Sequence, residues 1–197
     1  MKGKTVVITG ATDGIGLEAA AGLGALGARL VLVGRNRAKG EVVLEALRQR
    51  VPGIIAEIHC ADLSRRDEIK RLVPELLAAA PRIDVLLNNA GAFFAERVVV
   101  EDGLEQTFAL NHLGYFRLTA LLRERLIASA PSRIVNVASE AHRNASLDFD
   151  DLQTSRGYNG WKAYQRSKLA NILFTRELAR RLARTGVTAN CLHPGFV

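Results

Sequence analysis

The sequence has little of what marks several protein classes. Its 197 residues include two cysteines, five prolines and one tryptophan, and aromatic side chains make up 6%. The two cysteines, Cys60 and Cys191, both fall in strand-like runs. That excludes a disulfide scaffold and reads as a pair of thiols in a reducing compartment. No stretch of about 18 uncharged apolar residues occurs, so neither a membrane span nor an anchor is expected. Lys2 and Lys4 lead at once into a strand and a glycine turn rather than an apolar segment and cleavage site, so no signal peptide is expected and the chain reads as cytoplasmic. His59, His112, His142 and His193 show no metal-ligand spacing and neither cysteine sits in a C-x-x-C, so no metal site is expected.

Acidic residues are the minority: 20 Asp and Glu against 27 Lys and Arg give a net charge of +7. The excess is spread over helical faces, as in Arg176-Glu177, Arg180-Arg181 and Arg184, with no basic tract and no aromatic stacking series. Solvated helix faces account for it, and a nucleic-acid partner is not expected.

What is present is a composition that can bury a core: 48% hydrophobic and 24% charged. Strand-like and helix-like segments alternate along the whole chain. Strands are expected at Thr5–Thr9, Arg29–Val33, Ile54–Cys60, Ile83–Asn88, Arg133–Ser139 and Val187–His193. Helices are expected at 15–27, 38–50, 65–80, 101–129 and 158–185. Short apolar runs alternating with helices imply a parallel sheet covered on both faces, a doubly wound α/β fold of the Rossmann type with strand order 3-2-1-4-5-6. No linker or repeat divides the chain.

Thr9-Gly10-Ala11-Thr12-Asp13-Gly14-Ile15-Gly16 joins the first strand to the first helix. Gly10 permits the tight turn, Gly14 lets backbone approach a pyrophosphate, and Gly16 lets the helix pack close to the strand. The N–H groups at the helix start then face the phosphates. The second strand ends in Gly34-Arg35-Asn36-Arg37, where an NAD enzyme would carry an acid about 20 residues after the glycines. A guanidinium there suits a 2′-phosphate, so Arg35 points to NADP(H) in preference to NAD(H). The third strand ends in Cys60-Ala61-Asp62-Leu63-Ser64. Asp62 either accepts from an adenine amino group or caps the next helix together with Ser64.

Tyr164 and Lys168 stand four residues apart in the 158–185 helix and share one face. An ammonium about 6 Å from a phenolate stabilises it by roughly 3 kcal/mol at an effective dielectric of about 20, which suits proton exchange with a substrate oxygen. Ser139 ends the fifth strand and Asn88-Asn89-Ala90-Gly91 the fourth, both at the carboxyl edge where open α/β sheets bind ligands. Ser139 can donate to a carbonyl oxygen as charge grows on it. Asn111 and Gly114 are poor helix formers inside the 101–129 helix, so a local distortion with a functional reason is expected there. His142 and Trp161 flank the Ser139–Tyr164 loop and either line a substrate mouth or pack the loop. Phe93-Phe94 are either pocket wall or core.

These motifs, in order and across the chain, resemble the classical short-chain dehydrogenase/reductases. Within them the sequence is most similar to the retinol-dehydrogenase and WW-domain-oxidoreductase branch, through Lys39-Gly40-Glu41, Asp148-Phe149-Asp150-Asp151-Leu152, Ser167-Lys168-Leu169-Ala170-Asn171 and the long stretch between Ser139 and Tyr164. The resemblance implies an oxidoreductase that interconverts an alcohol and its carbonyl compound. Tyr164 would be the acid/base, Lys168 would hold the nicotinamide ribose, Ser139 would orient the substrate oxygen, and Asn111 would hold a water for proton relay. Gly10, Thr12, Asp13, Gly14, Ile15, Gly16, Arg35, Asp62, Leu63, Asn88, Ala90, Gly91, Pro194 and Gly195 would contact the cofactor. The partner would be a small alcohol or carbonyl substrate, and a homodimer or tetramer the expected assembly. The alternative function is a dinucleotide sensor or scaffold without turnover. Glu140, where a second serine is frequent, and Arg166, where glutamine is frequent, depart from the branch. The family continues after Pro194-Gly195 with a seventh strand and a substrate loop, so residues 1–197 read as a single NADP-binding domain cut short after its sixth strand, at Phe196-Val197.

Overall fold

A computed structural model describes residues 1–195; Phe196 and Val197, where the sequence reads as cut short, lie outside the described residues. Six strands form one parallel sheet: β1 (Thr5–Thr9), β2 (Arg29–Gly34), β3 (Ile55–Cys60), β4 (Val85–Asn88), β5 (Ser132–Val137) and β6 (Val187–Leu192). Their order is β3-β2-β1-β4-β5-β6, as expected. The chain winds one way from β1 through β3, then returns to pair β4 on the other side of β1, with Val6 opposite Val85 and Val7 opposite Leu86. That reversal opens a crevice at the carboxyl ends of β1 and β4, where such sheets bind ligands.

Strand periodicity sends alternate residues to opposite faces. In β1, Val6 and Ile8 join Leu30, Leu32, Ala20, Ala21 and Leu47 in one buried cluster. Val7 faces the other way into a larger cluster with Val31, Ile69, Leu72, Leu118, Leu122 and Leu178. The helices α1 (Gly14–Ala25) and α2 (Arg37–Arg50) supply the first cluster. The second draws on α3 (Arg66–Ala79), α5 (Gly114–Ala128) and α6 (Gly160–Arg181). With both faces covered, the strands need no polar alternation, which explains their continuous apolar runs.

Several boundaries move by one to four residues, such as β4, which starts at Val85 rather than Ile83, and α6, which ends at Arg181 rather than 185; three differences bear on the site. The helix expected over 101–129 begins only at Gln106, because Gly103 (φ +76°) lies in a turn and Val99 pairs antiparallel with Glu105. Buried Glu105 then caps a single turn, α4 (Gln106–Phe108), by accepting from the Thr107 and Phe108 N–H groups at 2.7 and 2.8 Å. A π-helical turn, Ala109–Leu113, follows and leads into α5, so the distortion expected around Asn111 is a widened turn. β5 stops at Val137, two residues before Ser139, because the backbone turns into a 3₁₀ segment, Glu140–Asn144. α6 starts at Gly160, where Asn159 caps it by accepting from the Lys162 N–H.

Candidate active site

A cleft of about 870 Å³ runs along the carboxyl edge of the sheet from the β1–α1 turn to α6. The glycine turn forms one end. Gly10 has φ +64°, and a side chain there would meet the Ala90 Cα at 2.7 Å. A Cβ on Gly16 would meet the Gly10 carbonyl oxygen at 2.2 Å, so α1 can sit this close to β1 only with glycine. Gly14 (φ +46°) lines the cleft and has nothing within 4 Å of such an atom, so a ligand can come close to the backbone there. This cradle fits a pyrophosphate. Thr9 clamps it to the fourth strand, its Oγ1 accepting from the Asn89 and Ala90 N–H groups at 2.9 and 3.0 Å.

Among the expected cofactor contacts, Gly10, Thr12, Asp13, Gly14, Ile15, Arg35, Asp62, Leu63, Ala90, Gly91, Pro194 and Gly195 line the cleft. Gly16 acts beneath it, through packing. Asn88 corrects the expectation. It is fully buried below the cleft, where Nδ2 donates to Thr119 Oγ1 at 3.0 Å and Asn136 Oδ1 at 2.8 Å. Asn89 lines the cleft in its place, and its Nδ2 donates to the Thr9 and Gly10 carbonyls at 3.0 and 3.2 Å.

Asp13 caps α1 by accepting from the Gly14 N–H, and it pairs with Lys39 at 2.6 Å. The Lys39 hydrogen bond first, then the Gly14 N–H, hold its carboxyl below the usual carboxylate range. Lys39, which sequence reasoning did not select as a cleft residue, is thereby fixed beside exposed Arg35 at the end of β2. Asp62 takes neither a direct capping bond nor a fully open position. One carboxylate oxygen accepts from the Ser64 N–H and Oγ at 2.9 and 2.7 Å, while α3 begins at Arg66, with Arg65 at its N-cap making no side-chain cap bond. The turn is closed one step before the helix, and Asp62 still faces the cleft.

At the other end stand Ser139, Tyr164 and Lys168. Ser139 Oγ accepts from the Ala141 N–H at 3.3 Å, which leaves its own proton to donate into the cleft. Lys168 is 4% exposed and donates from Nζ to the Val137 carbonyl at 3.0 Å. Nζ lies 5.5 Å from the centre of the Tyr164 ring. Burial pushes the Lys168 ammonium down from 10.5 to about 8. Gly91 packs beside it: a Cβ there would stand a tight 3.2 Å from Asn111 Oδ1 and at ordinary contact, 3.5 Å, from Lys168 Nζ. Asn111 is fully buried and does not line the cleft directly.

The open alternatives resolve by position. Trp161, half exposed, stacks on Tyr164 with ring centres 5.8 Å apart, and Phe93 meets the same ring edge-on at 6.4 Å. Both are cleft wall. Phe94 contributes its carbonyl, which accepts from the Tyr158 hydroxyl at 3.0 Å. His142 packs the loop, with Nδ1 2.6 Å from the Ser139 carbonyl. Glu140 lies against Arg143 and takes His193 Nδ1 as acceptor for its N–H at 3.3 Å, so this departure from the branch braces the loop without entering the cleft.

A parallel sheet in this order, with a glycine cradle and a Tyr–Lys pair on one crevice, defines a nucleotide-binding protein of the doubly wound type. The model of the short chain dehydrogenase family matches residues 4–197, and the chain belongs to that family. Human retinol dehydrogenase 14 is 47% identical over 210 residues, covering 100% of this chain and 62% of that protein. Human retinol dehydrogenase 12 is 44% identical over 197 residues with the same coverage. The chain thus spans about three-fifths of the length of these curated relatives. Among solved structures, an uncharacterized protein from Mycobacterium paratuberculosis superposes with a TM-score of 0.88 at 37% identity, covering 99% of this chain and 69% of that one. A metagenomic short-chain oxidoreductase in complex with NADP gives 0.81 at 30%, covering 99% and 83%. The branch read from the sequence, next to the retinol dehydrogenases, agrees with these relatives.

Proposed function

We propose that the protein is an NADP(H)-dependent oxidoreductase that interconverts an alcohol and its carbonyl compound, with Tyr164 as acid/base. The observation that carries this is the meeting of Ser139, Tyr164 and buried Lys168 in the same cleft as the glycine cradle. The bound dinucleotide supplies or takes the hydride at its nicotinamide ring. In reduction the carbonyl carbon gains that hydride and the oxygen gains the Tyr164 proton, so an alcohol leaves and the phenolate is reprotonated from solvent. Ser139 donates to the oxygen as charge grows on it. Lys168, whose ammonium lies 5.5 Å from the centre of the Tyr164 ring, would hold the ribose hydroxyls of that cofactor. General acid–base help of this kind is worth about 10²–10⁴ in rate, with alignment supplying much of the rest.

Arg35, just after β2, supports the 2′-phosphate cofactor, since a guanidinium there suits a dianion; Lys39, in the first turn of α2 and paired with Asp13, lines the same end of the cleft. Phe93 and Trp161 around Tyr164 support an apolar group next to the reacting carbon, and the retinol dehydrogenase relatives put apolar primary alcohols and aldehydes first in a substrate panel. The test is Tyr164→Phe. It is expected to bind NADPH as the parent does and to lose at least about 100-fold in turnover of that panel. Turnover unchanged from the parent refutes the assignment.

A further inference from the structure

The inner side of α6 carries polar side chains that the proposed chemistry leaves idle. Ser167, Asn171 and Thr175 recur every four residues and stack on one side of the helix, all buried. Each is satisfied, as burial requires. Thr175 Oγ1 accepts from Asn136 Nδ2 at 2.9 Å and donates to the Asn171 carbonyl at 2.6 Å. Ser167 Oγ accepts from Asn111 Nδ2 at 3.1 Å and donates to the Tyr164 carbonyl at 2.7 Å. Between them, Asn171 Nδ2 donates to the main-chain carbonyl of Asn111 at 2.8 Å, and its Oδ1 lies 3.0 Å from His112 Nδ1.

Asn111 sits in the π-helical turn, and its side chain is committed elsewhere. Oδ1 accepts from the Ala92 N–H at 2.9 Å, and Nδ2 donates to the Ala92 carbonyl at 2.9 Å as well as to Ser167. Membership of the family implies a proton relay at Asn111 beside Lys168; with the side chain committed, the atom left for it is the main-chain oxygen, which Asn171 holds. With Nδ2 spent on that oxygen, Asn171 Oδ1 turns to His112, which must then donate from Nδ1. Burial outweighs the Asn171 contact and lowers the imidazole below its ordinary value, so a neutral ring with one fixed proton fits the site.

We infer that Asn171, its amide locked by His112, is a positioning residue that sets the Asn111 carbonyl for proton delivery to the Tyr164–Lys168 pair. The inference rests on the oxidoreductase reading. Asn171 is fully buried and does not line the cleft, so it controls the rate of proton supply and not dinucleotide affinity.

The test uses the whole chain with NADPH and a carbonyl compound that the parent reduces. Asn171→Ala is expected to keep NADPH affinity and substrate KM within about twofold, to lower kcat roughly tenfold or more, and to raise the solvent deuterium isotope effect on kcat. His112→Phe is expected to move kcat and the isotope effect the same way, and His112→Gln, whose amide N–H can replace the imidazole donor, to restore much of the loss. Where Asn171→Ala fails to fold, the two His112 variants decide. An unchanged kcat, or a fall in kcat matched by lost affinity with no change in isotope effect, overturns the inference and leaves the oxidoreductase reading intact. A parent that binds NADPH yet reduces no carbonyl compound overturns the reading itself, and the inference with it.

Discussion

Lys168 costs the free protein stability, and the cost has a calculable pH dependence. Its ammonium is 4% exposed, and burial lowers it from 10.5 to about 8. Between those values the unfolded chain binds a proton that the folded chain does not, so stability rises with pH across that window. Each tenfold loss of proton affinity is worth about 1.4 kcal/mol, so the penalty is about 3 kcal/mol at pH 7, about 2 at pH 9 and under about 1 at pH 10. Lys168→Met removes it. The variant also leaves the Val137 carbonyl without its Nζ partner, an opposing loss of about 1–3 kcal/mol. That loss does not depend on pH, so the decisive quantity is the slope. The stability of Lys168→Met relative to its parent should fall by about 2–3 kcal/mol from pH 7 to pH 10. In Tm, at about 2–4 °C per kcal/mol for a chain of this size, the gap should narrow by roughly 5–10 °C.

The assay is urea or thermal unfolding of both proteins at pH 7, 8, 9 and 10, without dinucleotide, because a ligand that binds only the folded state adds its own stabilisation. Both proteins should also carry Tyr164→Phe, so that a phenol ionising near the ammonium does not enter the difference. A gap that stays flat from pH 7 to pH 10, or widens, refutes the claim that Lys168 is held against its solvation preference.

Three further outcomes follow from the geometry. Arg35→Ala should weaken NADPH binding about 10–100-fold, the worth of a charged hydrogen bond to phosphate, and leave NADH binding unchanged; equal weakening of both in fluorescence titrations argues against the 2′-phosphate role. Gly16→Ala puts a methyl group 2.2 Å from the Gly10 carbonyl oxygen and 2.5 Å from Asn89 Nδ2. The turn must open, and NADPH affinity should fall at least about tenfold with the circular dichroism spectrum retained. Asp84 is 3% exposed and takes hydrogen bonds from Lys4, Arg82 and the Thr5 N–H, each at 2.9 Å. Burial alone would raise its carboxyl, but those three donors outweigh it and hold it below the usual value of 3.8. Its stabilisation is therefore present above pH 4 and lost as pH falls further. Asp84→Asn should cost about 1–2 kcal/mol at pH 7, the lower range because Lys4 and Arg82 are half exposed, and the difference should fade in urea melts near pH 3.

The cofactor half of the cleft was legible because backbone geometry demands particular residue types there. Only glycine tolerates the contacts at positions 10 and 16, and only a missing acid and a present Arg35 mark the end of β2. The strand order was legible for a similar reason, since apolar runs separated by helices leave few topologies. What the sequence concealed depends on which way a side chain turns. Asn88 and Asn89 are the same residue type in adjacent positions, yet one ties strands together below the cleft and the other faces into it. The start of the helix at Gln106 was hidden because Glu105, a good helix former, is used as a buried cap. Asn171 had a readable signal that went unused: Ser167, Asn171 and Thr175 place a polar residue every four positions beside Tyr164 and Lys168, where amphipathic periodicity alone would put apolar ones.

The two halves of the cleft consequently differ in how they should tolerate substitution. The cradle depends on atoms that are absent: a Cβ on Gly10 or Gly16 runs into backbone, and one on Gly14 is disfavoured by its φ of +46°. The Tyr164 end depends on a chain of hydrogen bonds that starts at the Asn88 amide N–H and runs through Asn136, Thr175 and Asn171 to Asn111 and Ser167. Removing one member leaves its neighbours unpaired in a dry interior, whereas replacing two partners with an apolar pair of matching shape can be nearly neutral for folding. Double substitutions within that chain, such as Asn136→Leu with Thr175→Val, should therefore recover part of the stability lost by either single change, while trimming a side chain near the cradle does not compensate Gly16→Ala, whose methyl group meets the main-chain carbonyl of Gly10.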